Sequence, residues 1–247
     1  MIIAQGTDIG NVRAVNEDSY GVYKHDDNCF CAVVADGMGG HKGGQTASKL
    51  AVTTIIDYVS KNLQKCVDNP ELSNEILTES ICKANEKIHI QALSNDELYG
   101  MGTTVVCVIC VGGMAYVANV GDSRLYKIDS AITQITKDHS FVQDLLDEGI
   151  ITYEEAKEHP NKNVITRAVG TELNIEIDLF EFKTDLSTKI LLCTDGLTNF
   201  VSDETIENLL LNYTPWEAND ELIKCANKNG GKDNITVVNI DFNEVTK

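Results

Sequence analysis

Basic residues are scarce in this chain: 20 lysines and arginines stand against 38 aspartates and glutamates, a formal net charge of −18. A nucleic-acid surface needs a basic stripe and an anionic bilayer attracts basic clusters, so the composition argues against both partners. Most of the acidity serves solubility; a smaller part can be carboxylates whose charge is offset by bound cations. A leader is also missing. The apolar start Met1-Ile2-Ile3-Ala4 is short and Asp8 interrupts it, so no signal peptide is expected. One uncharged stretch, Leu98 to Gly121, is long enough to span a membrane. Its central Gly112-Gly113 and flanking β-branched runs predict two strands joined by a turn instead. Among the eight cysteines, Cys29, Cys31, Cys107, Cys110 and Cys193 sit inside apolar runs, where a thiol behaves as a small hydrophobe. Cys107 and Cys110 form a CxxC, but positions i and i+3 of a strand face opposite sides and there is no second pair, so zinc is excluded. Thiols used in this way fit a reducing cytoplasm. There is no linker, repeat or low-complexity segment, and one domain over 1–247 is expected.

The chain is arranged around Cys29 to Gly44. Cys29 to Ala35 is a continuous apolar run that reads as a strand buried on both faces. It ends at Asp36, followed by Gly37, Gly39 and Gly40, which let backbone and ligand approach closely. Taken alone, an ordinary Asp-Gly hairpin turn explains the stretch as well. Strands are expected at Ile2–Thr7 and Tyr20–Tyr23. From Gln45 the period changes, and Ala47, Leu50, Ala51, Thr54, Ile55 and Tyr58 mark one helix face. A second helix runs from near Ser73 to Gln91 with Leu77, Ile81, Ala84 and Ile88 on its stripe. Strands return at Thr103–Val111, Met114–Val120 and Arg124–Ile128. A helix follows at Ser140–Glu148 with Phe141, Leu145 and Leu146 apolar. Thr152-Tyr153-Glu154-Glu155 reads as a capping box opening a short helix. The remainder holds strands at Ile175–Phe182, Lys189–Cys193 and Ile235–Ile240, and helices near Asp203–Leu211 and Trp216–Lys228. The order describes an α+β domain, helices covering antiparallel sheets, without regular βαβ alternation.

Acids recur at strand ends: Asp36 before Gly37, Asp195 before Gly196, Asp122 in Gly121-Asp122-Ser123-Arg124, and Asp233 in Gly230-Gly231-Lys232-Asp233-Asn234. Each alone reads as a turn residue. Several in one domain converge where strand ends share a sheet edge, and converging carboxylates need cations between them. Oxygen donors without a His/Cys set suit Mg²⁺ or Mn²⁺. Two such ions about 4 Å apart can activate a water and clamp a phosphate ester.

Eight segments, in order, resemble the motif series of the PP2C-type (PPM) metal-dependent protein serine/threonine phosphatases. They are Arg13-x-x-Asn16-Glu17-Asp18, Ala35-Asp36-Gly37-Met38-Gly39-Gly40, Gly102-Thr103-Thr104, Val120-Gly121-Asp122-Ser123-Arg124, Asp138-His139-Ser140, Ile165-Thr166-Arg167-Ala168-Val169-Gly170, Thr194-Asp195-Gly196-Leu197 and Asp233-Asn234. The resemblance spans about Thr7 to Val238, and the Met-Gly-Gly-His form of the second motif is similar to the bacterial branch. It implies two packed antiparallel β-sheets flanked by helices on both sides, and hydrolysis of phosphoserine and phosphothreonine on proteins. It also implies a metal-bridging hydroxide that attacks phosphorus in line, with no phosphoenzyme. Asp36 would bridge two Mn²⁺ or Mg²⁺ ions and the Gly37 carbonyl would bind the second. Asp195 and Asp233 would complete the first, while Glu17 and Asp18 hold metal-bound waters. Arg13 would grip the phosphate with its planar fork. Asp122, with Asp195, would bind a third, looser ion. The segment 147–170 resembles a flap beside the site. The implied partners are phosphorylated Ser/Thr proteins, including a Ser/Thr kinase that the phosphatase opposes, and a cytoplasmic monomer is expected.

Eukaryotic relatives carry a histidine directly after the Asp-Gly; here Met38 takes that place and His41 is the nearest, read as a loop residue more readily than as a general acid. His139 likewise reads as structural. No cysteine lies six residues before Arg124 or Arg167, so a tyrosine-phosphatase-type thiolate loop is absent. A pseudophosphatase that only holds phosphoproteins is an alternative, and so is a two-metal phosphatase of small esters, which Arg13 alone does not separate from a protein phosphatase.

Overall fold

Strand sequences with apolar residues on both faces have to lie between two layers. The computed structural model, which describes residues 1–39 and 43–243, places them so. In chain order its strands are β1 (Ile2–Asp8), β2 (Ser19–Lys24), β3 (Phe30–Ala35), β4 (Gly37–Met38), β5 (Gly102–Thr103) and β6 (Val105–Val111). They continue with β7 (Met114–Val120), β8 (Arg124–Ile128), β9 (Ile132–Gln134), β10 (Asp178–Lys183), β11 (Lys189–Cys193) and β12 (Ile235–Asp241). Among the described residues these form two five-stranded antiparallel sheets, β1-β12-β11-β8-β9 and β10-β7-β6-β3-β2, and a two-stranded ladder of β4 with β5.

The sheets pack face to face through Phe30, Val34, Val108, Val117, Leu125, Leu192 and Val238. On the outer face of the β3 sheet, α1 (Gly43–Asp68) and α2 (Leu72–Ser94) bury Ala51, Ile55, Leu77, Ile81 and Ile88 against Cys31, Val33 and Ile109. On the outer face of the β12 sheet, α6 (Asp203–Asn212) and α7 (Pro215–Lys228) bury Ile206, Leu210 and Leu222 against Leu191 and Val237. Each buried Leu or Ile is worth about 1.5–3 kcal/mol, which fixes the order helix, sheet, sheet, helix. β3 alternates as expected between the two apolar cores. Cys107 and Cys110 fall on opposite faces of β6. The β6–β7 hairpin turns at Gly112 and Gly113, both at positive φ (60° and 75°), which only glycine adopts without cost.

Several boundaries differ from the sequence expectation. α1 continues past Tyr58 to Asp68, and β10 begins at Asp178 rather than Ile175. The expected strand Thr103–Val111 is broken at Thr104, whose N–H leaves the ladder and donates to the Asp36 carbonyl (2.8 Å). After β9 come α3 (Phe141–Asp147) and α4 (Tyr153–Glu158), the latter opened by the Thr152–Glu155 capping box. α3 buries none of its residues although Phe141, Leu145 and Leu146 are apolar, because it borders a groove rather than a core. After β11 the chain forms α5 (Asp195–Thr198), too short for periodicity to show.

Candidate functional site

Strand pairing brings the acids together. Ala35 lies opposite Ser19, Val120 opposite Val105, Cys193 opposite both Arg124 and Val237, and Asp8 opposite Ile235. The end of β3 therefore lies beside the start of β2, and the end of β11 beside the starts of β8 and β12. Asp36 follows β3 and Asp122 follows β7, Glu17 and Asp18 precede β2, Asp233 precedes β12, and Asp195 opens α5. The acids are drawn from both sheets at one end of the sandwich, not from a single sheet edge. The reason is that β7 and β8, joined through Asp122, belong to different sheets.

Burial and the charges of neighbouring acids raise four of these carboxylates, Asp18, Asp36, Asp122 and Asp195. Asp18 is 9% exposed. Burial, outweighing hydrogen bonds from Thr236 and Thr194 and reinforced by Asp195 and Asp233, pushes it up to about 7. Burial and the charge of Asp233 raise Asp195 to about 6, even though it accepts hydrogen bonds from Asp36 and Asn199. Asp36 stands well above the carboxylate range through burial and the charges of Asp18, Asp195, Asp122 and Asp233. Asp122 is raised by burial, Asp195 and Asp138. Among the described residues no group of three His, Cys, Asp or Glu side chains stands ready to hold a metal ion. Three buried carboxylate oxygens, Glu17 Oε1, Asp18 Oδ1 and Asp195 Oδ1, have no hydrogen-bond partner. Unpartnered buried carboxylate oxygens are costly, and an all-oxygen donor set suits a hard divalent cation. The residues present fit such an ion.

The supports are as specific as the acids. The backbone of Asp36 is held on both sides: its N–H donates to Thr104 Oγ1 (2.9 Å) and its carbonyl accepts from Thr103 Oγ1 (2.8 Å). Thr104 Oγ1 is in turn hydrogen-bonded to Ser123 Oγ (2.7 Å). Gly37 sits where a Cβ would meet the Gly44 carbonyl oxygen at 2.1 Å, and a Cβ on Gly44 would meet Glu17 Oε1 at 2.5 Å. Asn234 clamps the loop that carries Arg13, Glu17 and Asp18. Its Oδ1 accepts from the Glu17 N–H (2.8 Å), and its Nδ2 donates to the carbonyls of Ile9 and Val15 (both 3.0 Å). Arg13 projects from this loop and its Nη2 donates to Asp233 Oδ2 at 2.7 Å. Arg124 forks onto Asp138 (2.7–3.0 Å) and donates to the Tyr126 hydroxyl (3.0 Å). His139 accepts the Gly121 N–H at Nδ1 (3.0 Å), so its proton is on Nε2, which faces Asp178 Oδ2 at 3.1 Å. Both ring nitrogens are committed, in keeping with a structural role. His41 lies outside the described residues.

A groove of about 580 Å³ opens beside the acids, with Asp122 and Asp195 in its lining and Val142, Leu146, Tyr153 and Phe200 on its walls. The groove wall includes Val142, Gln143 and Leu146 of α3 as well as Tyr153, Ala156, Lys157 and Glu158 of α4. Asn234, Thr104 and Asp138 are contributors that received no role from sequence reasoning. They stand in the motif segments, but the partners of Asn234 and of Thr104 are distant in sequence.

Comparison with known proteins gives one answer throughout. The family model described as Protein phosphatase 2C matches residues 5–236. The serine/threonine phosphatase stp of Listeria welshimeri is 40% identical over 243 residues, 98% of this chain and 96% of the relative. The crystal structure of the Mycobacterium tuberculosis serine/threonine phosphatase PstP/Ppp superposes with a TM-score of 0.87 at 37% identity, covering 98% of this chain and 99% of that one. A structure of the PstP catalytic domain in complex with two manganese ions superposes with a TM-score of 0.84, also at 37% identity, covering 97% of each chain.

Proposed function

The chain belongs to the protein phosphatase 2C family of metal-dependent hydrolases and is an enzyme of that kind, and from that premise we propose that it removes phosphate from phosphoserine and phosphothreonine side chains of proteins. The observation that carries this reading is the meeting of six acids from both sheets at one end of the sandwich, with three of their buried oxygens left unpartnered. The two manganese ions in the PstP catalytic domain support a dinuclear centre here.

Bound Mn²⁺ or Mg²⁺ supplies an activated water and offsets charge on the phosphate. Asp36, the Gly37 carbonyl, Asp195 and Asp233 would hold the two ions. Asp122 with Asp195 holds a looser third ion, and Glu17 and Asp18 orient water. The fork of Arg13 binds two phosphate oxygens. Thr103 and Thr104 keep the Asp36 backbone from shifting as charge accumulates, and Asn234 keeps the Arg13 loop on the site. The groove beside α3 and α4 receives the polypeptide around the phosphorylated residue. As in the family that the chain resembles, displacement at phosphorus would be direct, without a phosphoenzyme, and no cysteine nucleophile is required; Cys31 and Cys107 are buried and burial pushes both thiols up. Residues 1–247 act as one catalytic domain that opposes a Ser/Thr kinase, as a monomer in the cytoplasm. Among the described residues no helix is long and apolar enough to cross a membrane.

The test is hydrolysis of a phosphothreonine peptide with Mn²⁺, with EDTA, and by the Asp195→Asn variant. Metal-dependent phosphate release that the variant loses is the expected result. No release by folded protein with either ion would overturn the proposal.

A further inference from the structure

We propose that Arg13 and a divalent cation compete for the same oxygen of Asp233, so that loading the first metal position and freeing Arg13 for phosphate are a single exchange. The inference rests on the reading of Asp233 as a metal ligand given above.

Both oxygens of Asp233 are taken. Oδ1 accepts the N–H of the next residue, Asn234, at 2.9 Å, and Oδ2 accepts from Arg13 Nη2 at 2.7 Å. The first bond is fixed, since Asn234 is itself pinned through three side-chain hydrogen bonds to Ile9, Val15 and Glu17. The second can be given up. The Arg13 side chain is 46% exposed, and a long side chain at that exposure can swing to another anion at little cost. The acids whose charges act on Arg13 are Asp233, Asp36 and Glu17. Its guanidinium therefore offsets part of the same charge that a divalent ion would offset, from the same oxygen. A guanidinium and a divalent ion on the same oxygen are like charges a few ångströms apart, so each weakens the other's hold on Oδ2. Displaced by the cation, Arg13 presents its whole fork beside the acids, where a phosphate dianion would lie against the metal. Linkage makes the effect reciprocal: whatever draws Arg13 away from Asp233 tightens the metal.

The size of the competition follows from the pair. A partly exposed ion pair shifts a competing equilibrium by about two- to fivefold. The experiment is calorimetric titration with Mn²⁺ alone of four proteins: wild type, Arg13→Ala, Asp233→Asn and the double variant, each shown by thermal melting in EDTA to be folded. Arg13→Ala is expected to bind Mn²⁺ about two- to fivefold tighter in the wild-type background and to change nothing beside Asp233→Asn. Arg13→Lys, which keeps the charge without the fork, is expected to lie between wild type and Arg13→Ala. Equal tightening in both backgrounds would mean a field effect of any nearby positive charge and would overturn the exchange. So would an Arg13→Ala affinity equal to or weaker than wild type while Asp233→Asn weakens binding. If Asp233→Asn leaves Mn²⁺ affinity unchanged, the assignment of Asp233 falls and the exchange falls with it.

Discussion

Removing metal exposes the cost of the acid cluster, and Asp18 is where that cost is most readily read. Its carboxylate is buried, one oxygen accepts from Thr194 Oγ1 at 3.0 Å, and the other has no partner. The folded protein holds the Asp18 proton up to about pH 7, whereas the unfolded chain releases it near the ordinary 3.8. Folding therefore binds a proton between those values, and stability falls as pH rises from about 4 to about 7. Three pH units at about 1.4 kcal/mol each set an upper bound of about 4 kcal/mol. Because Asp36 and Asp195 titrate with Asp18 and share the loss, about 2 kcal/mol is assigned to this group. Asp18→Asn keeps an oxygen for Thr194 and removes the charge. In EDTA at pH 8 the variant is expected to melt about 4–8 °C above wild type, from about 2–4 °C per kcal/mol for a chain of this length. At pH 4, where folding takes up little of this proton, the two should melt within about 2 °C. Mn²⁺ should raise the wild type and raise the variant less, since the variant has lost one of the acids that order the site. Scanning fluorimetry across pH, with EDTA and with Mn²⁺, reads all of this. A variant that melts at or below wild type at pH 8 in EDTA, or a gap that is the same at pH 4 and pH 8, would refute the reasoning.

Three further outcomes follow from the site. Asp36→Asn is expected to abolish phosphate release together with Mn²⁺ binding, whereas Asp122→Ala slows turnover and leaves two ions bound; metal analysis of the dialysed variants separates the cases, and full activity of the Asp36 variant would refute its bridging role. Gly196→Ala places a Cβ at 1.9 Å from the Asn234 carbonyl oxygen, so the start of β12 must move; a loss of about 2–4 kcal/mol is expected in chemical denaturation. Asn234→Ala removes three hydrogen bonds that hold the Arg13 loop; at about 1 kcal/mol each it should cost about 2–3 kcal/mol, and kcat should fall more than KM changes, since steady-state kinetics reports the placement of Glu17 and Asp18 rather than substrate binding alone.

What could be read from the sequence was what neighbouring residues decide among themselves. The run Phe30–Ala35 announced a strand buried on both faces because no residue in it can face water cheaply. The stripe Leu77, Ile81, Ala84, Ile88 did the same for α2, and Thr152 with Glu155 for the cap of α4. Asp36, Asp122, Asp195 and Asp233 were legible because each lies at a strand end, whereas Glu17 and Asp18 were named only through the family resemblance. What was not legible depends on segments far apart. Four residues of α5 carry no period, so Asp195 read as a strand-end acid although it opens a helix. Asn234 looked like the tail of a turn, since its partners lie 217–225 residues away. Arg13 read as a phosphate ligand only, because nothing local reveals that Asp233 is its partner. The cause common to the last two is one ladder. β1 pairs with β12 from Ile2 opposite Asp241 to Asp8 opposite Ile235, and that register delivers the loop 9–18 directly onto Asp233 and Asn234. A slip of one residue would turn the whole strand over and carry Glu17, Asp18 and Arg13 away from the other acids. The apolar alternation of β12, buried on both faces, therefore does more than fill the core: it sets the distance between the residue assigned to the phosphate and the residues assigned to the metal.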